Sequence, residues 1–130
     1  MKKEVKNKMK TPDSFTEITK SVKEQIDYVN LMKSEKTDPG LLDCVVTLIA
    51  EVYMSKEAKT FIGRETRSRE EVMDRFLQLT SEHIEYVFEC LNKTKSEIRN
   101  IRQYLRASLF NAPATMDAYI QRKVHEQLGY

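Results

Sequence analysis

The sequence has no tryptophan, three glycines, three prolines, two cysteines and two histidines. Each shortage excludes something. Three glycines leave nothing for a phosphate-cradling loop, and no GxGxxG, GxxxxGK[ST] or GxSxG motif is present. His83 and His125 lie far apart and in none of the HxxxH, HExxH or Cys/His spacings that hold a metal, so neither a metal nor another cofactor is expected. Carboxylate pairs such as Glu70-Glu71 fall at capping or solvent positions, where acid–base work is not expected. An enzyme with a small-molecule substrate is therefore not the reading. Cys44 and Cys90 have no CxxC partner and sit in apolar helical runs, which predicts buried free thiols in a reducing cytosol. No apolar run approaches the ~18–20 residues of a membrane span. The lysine-rich start has no apolar stretch behind it, so it is no signal peptide. A soluble cytoplasmic protein without a membrane partner is the expectation.

What is present is charge and helical periodicity. The 130 residues suit one domain, 40% hydrophobic and 32% charged, and the scarcity of turn formers predicts an all-α fold. Residues 1–13, with Lys2, Lys3, Lys6, Lys8 and Lys10, read as a flexible basic arm or linker ahead of a domain spanning 14–130. Ile18, Val22, Ile26 and Val29 predict a helix over about 15–33, with Ser14 and Glu17 as its capping box. Asp38-Pro39 opens a second over about 39–56, apolar nearly all round and so expected at the centre of the bundle. Thr60-Phe61-Ile62, then Gly63-Arg64, suit a short β-hairpin or an ordered loop near residues 59–67. Ser68 with Glu71 caps a third helix to about Leu79, and Thr80 or Ser81 a fourth carrying Ile84, Val87, Phe88 and Leu91. After a turn at Asn92–Lys95, a fifth runs to about Phe110 with Ile98, Ile101, Leu105 and Leu109 inward. Asn111-Ala112-Pro113 is expected to stop it, and Pro113 to start a sixth with Met116, Ile120, Val124 and Leu128 inward.

Two basic clusters are the candidate binding residues. Lys95, Arg99, Arg102 and Arg106 follow steps of four, three and four, which on one helix would form a continuous stripe beside the apolar face. Such a line suits phosphates or an acidic protein surface. It equally suits a seam of surface ion pairs with Glu82, Glu85 and Glu89 on the preceding helix. Arg64, Arg67 and Arg69 surround the expected hairpin, where planar guanidinium forks are well placed for phosphate and where solvated loop charge is the plainer alternative. The net charge is only +2, so nucleic-acid contact would rest on such patches and not on a global field.

Several residue runs, in order and spacing, resemble a known family. They are Arg75-Phe76-Leu77, His83-Ile84-x-Tyr86-Val87-Phe88-x-Cys90-Leu91, Ile98-Arg99-Asn100-Ile101, Tyr104-Leu105, and Asn111-Ala112-Pro113 followed by Thr115. Together they resemble the C-terminal domain of the RepA-type (RepA_N) replication initiators of plasmids and conjugative elements in Gram-positive bacteria, over about Leu41 to Leu128. In that family a winged-helix domain recognises the origin, and a linker leads to a C-terminal domain similar in kind to those of the DnaD/DnaB primosome proteins. The resemblance implies a non-enzymatic interaction domain that engages host replication proteins of the helicase-loader or primase class. Direct nucleic-acid binding is the alternative. Met1 is then expected to begin a cloned fragment or an orphan copy of the domain, with the basic arm as linker remnant. DnaD-type domains carry a Tyr-x3-Ile-x3-Trp signature that this chain lacks, so no single-strand binding through that signature is carried over.

Overall fold

The computed structural model describes residues 10–94 and 98–128, with side chains from residue 14. In chain order these form α1 (Lys10–Gln25), α2 (Tyr28–Lys33), α3 (Pro39–Met54), β1 (Lys59–Ile62), β2 (Glu65–Ser68), α4 (Arg69–Leu77), α5 (Ser81–Thr94) and α6 (Ile101–Leu128). The expected helical bundle with one small antiparallel hairpin is what the chain builds.

Asp38 and Pro39 set the central helix. The Asp38 carboxylate accepts from the backbone N–H groups of Gly40 (2.9 Å) and Leu41 (3.2 Å), while Pro39 fills a first-turn position that needs no donor. Leu42, Val45, Val46, Leu48, Ile49 and Ala50 of α3 are buried, and the helix packs against α1, α4 and α6. Each large side chain so buried contributes about 1.5–3 kcal/mol of transfer free energy. This is the core post that its apolar circumference predicts. Ser68 caps α4 as expected, its hydroxyl accepting from Glu71 N–H at 3.1 Å.

Among the helix boundaries that differ from expectation, two offset each other in the helix count. The predicted helix over 15–33 is two. Asp27 adopts the left-handed conformation (φ 58°, ψ 57°), which Asp tolerates better than most side chains, and the turn places both Ile26 and Leu31 in the core. The same turn leaves Val29, expected inward, 65% exposed. Helix α1 also begins at Lys10, so Ser14 lies inside it and caps nothing, and residues 10–13 are helical and not arm. Residues 1–9 of the arm lie outside the described residues.

At the other end, Asn111-Ala112-Pro113 does not stop a helix. Helix α6 runs through Pro113 for 28 residues. Carbonyls beside the proline find side-chain donors. Arg75 donates to Phe110 O at 3.1 Å, and the Thr115 hydroxyl donates to Asn111 O. The guanidiniums of Arg67 and Arg75 also stand 4.8 and 4.6 Å from the Phe110 ring centroid, clasping this stretch of α6 to β2 and α4. Past Met116, residues 120–128 are all exposed, so Ile120, Val124 and Leu128 do not face the core as expected. Cys44 and Cys90 are free but half-buried, not buried.

Candidate functional site: an arginine-lined cleft

The hairpin is built to present its outer face. Residues Phe61↔Thr66 and Ile62↔Glu65 pair across it, and the two-residue loop Gly63-Arg64 has φ of 60° and 70°. Positive φ at both positions matches the right-handed twist of the strands. Glycine adopts it freely, whereas a side chain in the left-handed region costs roughly 1–2 kcal/mol. Arg64 is therefore held in a strained conformation at the tip. Strand alternation sends Ile62 into the core at 2% exposure and turns Phe61 outward at 64%.

The base of the hairpin is tied down by the other two arginines of its cluster. Arg69 N–H donates to Ala58 O (2.9 Å), and its Nε donates to Ser55 O (2.8 Å). Arg67 pairs with Glu65 and Glu71, both at 3.4 Å, and lies over Phe110. These two are structural. Arg64 is the member left at the surface.

The second cluster is not one helical stripe. The Asn100 side chain accepts from Gln103 N–H at 3.1 Å and caps α6, so Arg99 stands before the helix while Arg102 and Arg106 lie on it. Lys95 lies outside the described residues. Arg102 pairs with Glu51 of α3 at 2.9 Å, an exposed bridge worth about 0–1 kcal/mol. Among the described residues, no ion pair joins Arg99, Arg102 or Arg106 to Glu82, Glu85 or Glu89. Those glutamates line a separate groove of about 880 Å³ with Glu35, Met116 and Ile120.

What the fold brings together is Arg64, Arg99 and Arg106. They line one open cleft of about 890 Å³ between the hairpin tip and the start of α6, with Phe61, Gln103 and Tyr104. Among the described residues, no carboxylate, histidine or cysteine lines it. Among the described residues none of the three arginines has an ion-pair partner within 4 Å. The cleft therefore offers guanidinium forks, a bare ring and neutral hydrogen-bonding groups, which suits oxyanions and aromatic faces. Phe61 was within reach of sequence reasoning, since Ile62 on a core-facing strand position sends its neighbour outward. Tyr104 is half-buried and borders this cleft.

His83, Gln25 and Tyr53 make structural hydrogen bonds. His83 sits in the first turn of α5, where Thr80 N–H donates to its Nδ1 at 3.0 Å. Burial pushes its pKa below the ordinary 6.5, against the opposing pull of Asp117 and Glu82. Gln25 joins α1 to the end of α4, its amide donating to Phe76 O (3.0 Å) and Leu79 O (2.9 Å) while accepting from Tyr53 OH (2.7 Å). Burial raises the Tyr53 pKa, and the bond to Gln25 opposes this. Among the described residues, no three His, Cys, Asp or Glu side chains are grouped to hold a metal ion, and no helix is long and apolar enough to cross a membrane.

Residues 4–129 match the model of a family of unknown function, DUF6017, and the chain belongs to that family. No curated protein and no solved structure matches it.

Proposed function

We propose that this chain is a non-enzymatic interaction domain of a plasmid-type replication initiator, and that its working surface is the Arg64–Arg99–Arg106 cleft, which holds nucleic-acid phosphates. The initiator context rests on the resemblance carried by residues from Arg75 to Thr115. The choice of surface rests on one observation: arginines from segments distant in the chain converge on a cleft that, among the described residues, no carboxylate lines. Arginines that served only solubility would be scattered or matched with acids, as Arg67 and Arg102 are. Three such cations release counterions when they meet a phosphate backbone, so the affinity falls with salt at a slope set by their number. The salt dependence of oligonucleotide binding tests this directly.

A second surface favours a protein partner. Ile120, Val124 and Leu128 stand 46%, 42% and 62% exposed at four-residue steps on the last turns of α6. An apolar row of this kind suits contact with another protein, and in the initiator reading that protein is a host replication factor of the helicase-loader or primase class. The two surfaces use different parts of α6, so one domain can engage nucleic acid and a protein together.

A further inference from the structure

We infer that the cleft takes single-stranded nucleic acid, with an unstacked base lying on Phe61 while Arg64, Arg99 and Arg106 hold the flanking phosphates. This rests on the phosphate-binding reading above and adds the strandedness of the ligand. Four observations carry it.

Phe61 is 64% exposed and borders the same cleft as the three arginines. It does nothing for the core, because Ile62 is the apolar anchor of its strand at 2% exposure. The ring also stands on a fixed support. The hairpin packs against α4 and α6, and Arg69 fastens its base to Ala58 and Ser55. A rigid aromatic loses little entropy when a base stacks on it. Next to it, the tip holds Arg64 in the left-handed region, where strain in a non-glycine residue often accompanies function. Gln103 and Tyr104 line the same cleft with groups that hydrogen-bond a base edge.

A duplex cannot use this combination. Its base faces are covered by their neighbours, and it presents only edges and phosphates to a protein. A cleft that pairs cations with an exposed ring matches the recurring arrangement of single-strand binders, where phosphates track basic groups and bases stack on aromatics.

The experiment compares fluorescein-labelled oligo(dT) with a DNA duplex of the same length, by anisotropy at low salt, on the whole chain. Wild type is expected to bind oligo(dT) at least about tenfold more tightly than duplex. Phe61→Ala, at an exposed position, should keep the wild-type melting temperature. It should lower oligo(dT) affinity roughly 5- to 150-fold, the range for one stacked base, and leave duplex affinity unchanged. Because the chain has no tryptophan, Phe61→Trp introduces a single indole reporter. Its fluorescence should be quenched by oligo(dT) and not by duplex.

Equal or tighter duplex binding overturns the inference. So does a Phe61→Ala variant with wild-type affinity for oligo(dT). If Arg99→Gln and Arg106→Gln still weaken binding in either case, phosphate contact stands and only the single-strand reading fails. If wild type binds neither nucleic acid at low salt, the phosphate-binding reading fails, and the inference with it.

Discussion

Replacing Arg64 with glycine separates stability from function at one residue. Arg64 has a φ of 70° at the second position of the hairpin loop, where glycine is the residue that type I′ geometry favours. Relief of the left-handed strain contributes roughly 1–2 kcal/mol. The added freedom of glycine in the unfolded chain offsets about 0.4–1 kcal/mol of that. The net expectation is a domain about 0–1.5 kcal/mol more stable, and for a domain of this size a gain near the middle of that range raises Tm by about 2–4 °C. The same substitution removes one of three cations from the cleft. Oligonucleotide affinity should fall, and the log–log salt slope should lose about 0.7–0.9. Thermal melting by circular dichroism and anisotropy with labelled DNA read the two effects on one preparation. A Tm several degrees lower would mean the Arg64 side chain holds the hairpin. A raised Tm with unchanged binding would mean the strain serves something other than this cleft.

Gln25→Ala removes the donor to Phe76 O and Leu79 O and the acceptor for Tyr53 OH, which should cost about 1–3 kcal/mol in denaturant unfolding; a loss below about 0.5 kcal/mol would show that water and the Tyr53 OH to Phe76 O bond (3.1 Å) replace what Gln25 supplies. His83 gives a pH dependence of definite sign. Its folded-state pKa lies below the unfolded value near 6.5, so the unfolded chain takes up the proton more readily. Its contribution is fully present above about pH 6.5 and is lost as pH falls from there through the folded-state pKa. His83→Gln, which keeps an acceptor for Thr80 N–H, should make stability less dependent on pH in that window than in wild type. An unaltered pH profile in the variant would assign the dependence to other groups.

Signals confined to a few neighbouring residues were readable in the sequence. Asp38-Pro39, Ser68 with Glu71, and the glycine of the hairpin tip act through their own backbone, and each marks the feature it predicts. Boundaries decided by tertiary partners were not. Pro113 reads as a helix stop because nothing nearby reveals that Arg75, 35 residues before Phe110, donates to the Phe110 carbonyl. Asp27 breaks the first predicted helix because the core takes both Ile26 and Leu31, a demand no local periodicity records. The arginines could be found one cluster at a time, but not sorted. Their apparent stripe assumed one helix, whereas the cap at Asn100 places Arg99 ahead of it. That Arg64 joins Arg99 and Arg106, while Arg67 and Arg69 hold the hairpin, follows only from packing the hairpin on α6. Ile120, Val124 and Leu128 carry the spacing of a core face, and spacing alone does not say whether the bundle reaches that far.

The most direct measurement is the salt dependence of oligo(dT) binding by wild type and by an Arg64→Gln, Arg99→Gln, Arg106→Gln variant, between about 50 and 200 mM salt. Three phosphate contacts to a single strand predict a log–log slope near −2 for wild type. The variant should melt as wild type does, bind much more weakly, and show a slope close to zero. A variant with wild-type affinity and slope would contradict the assignment of this cleft as the nucleic-acid surface.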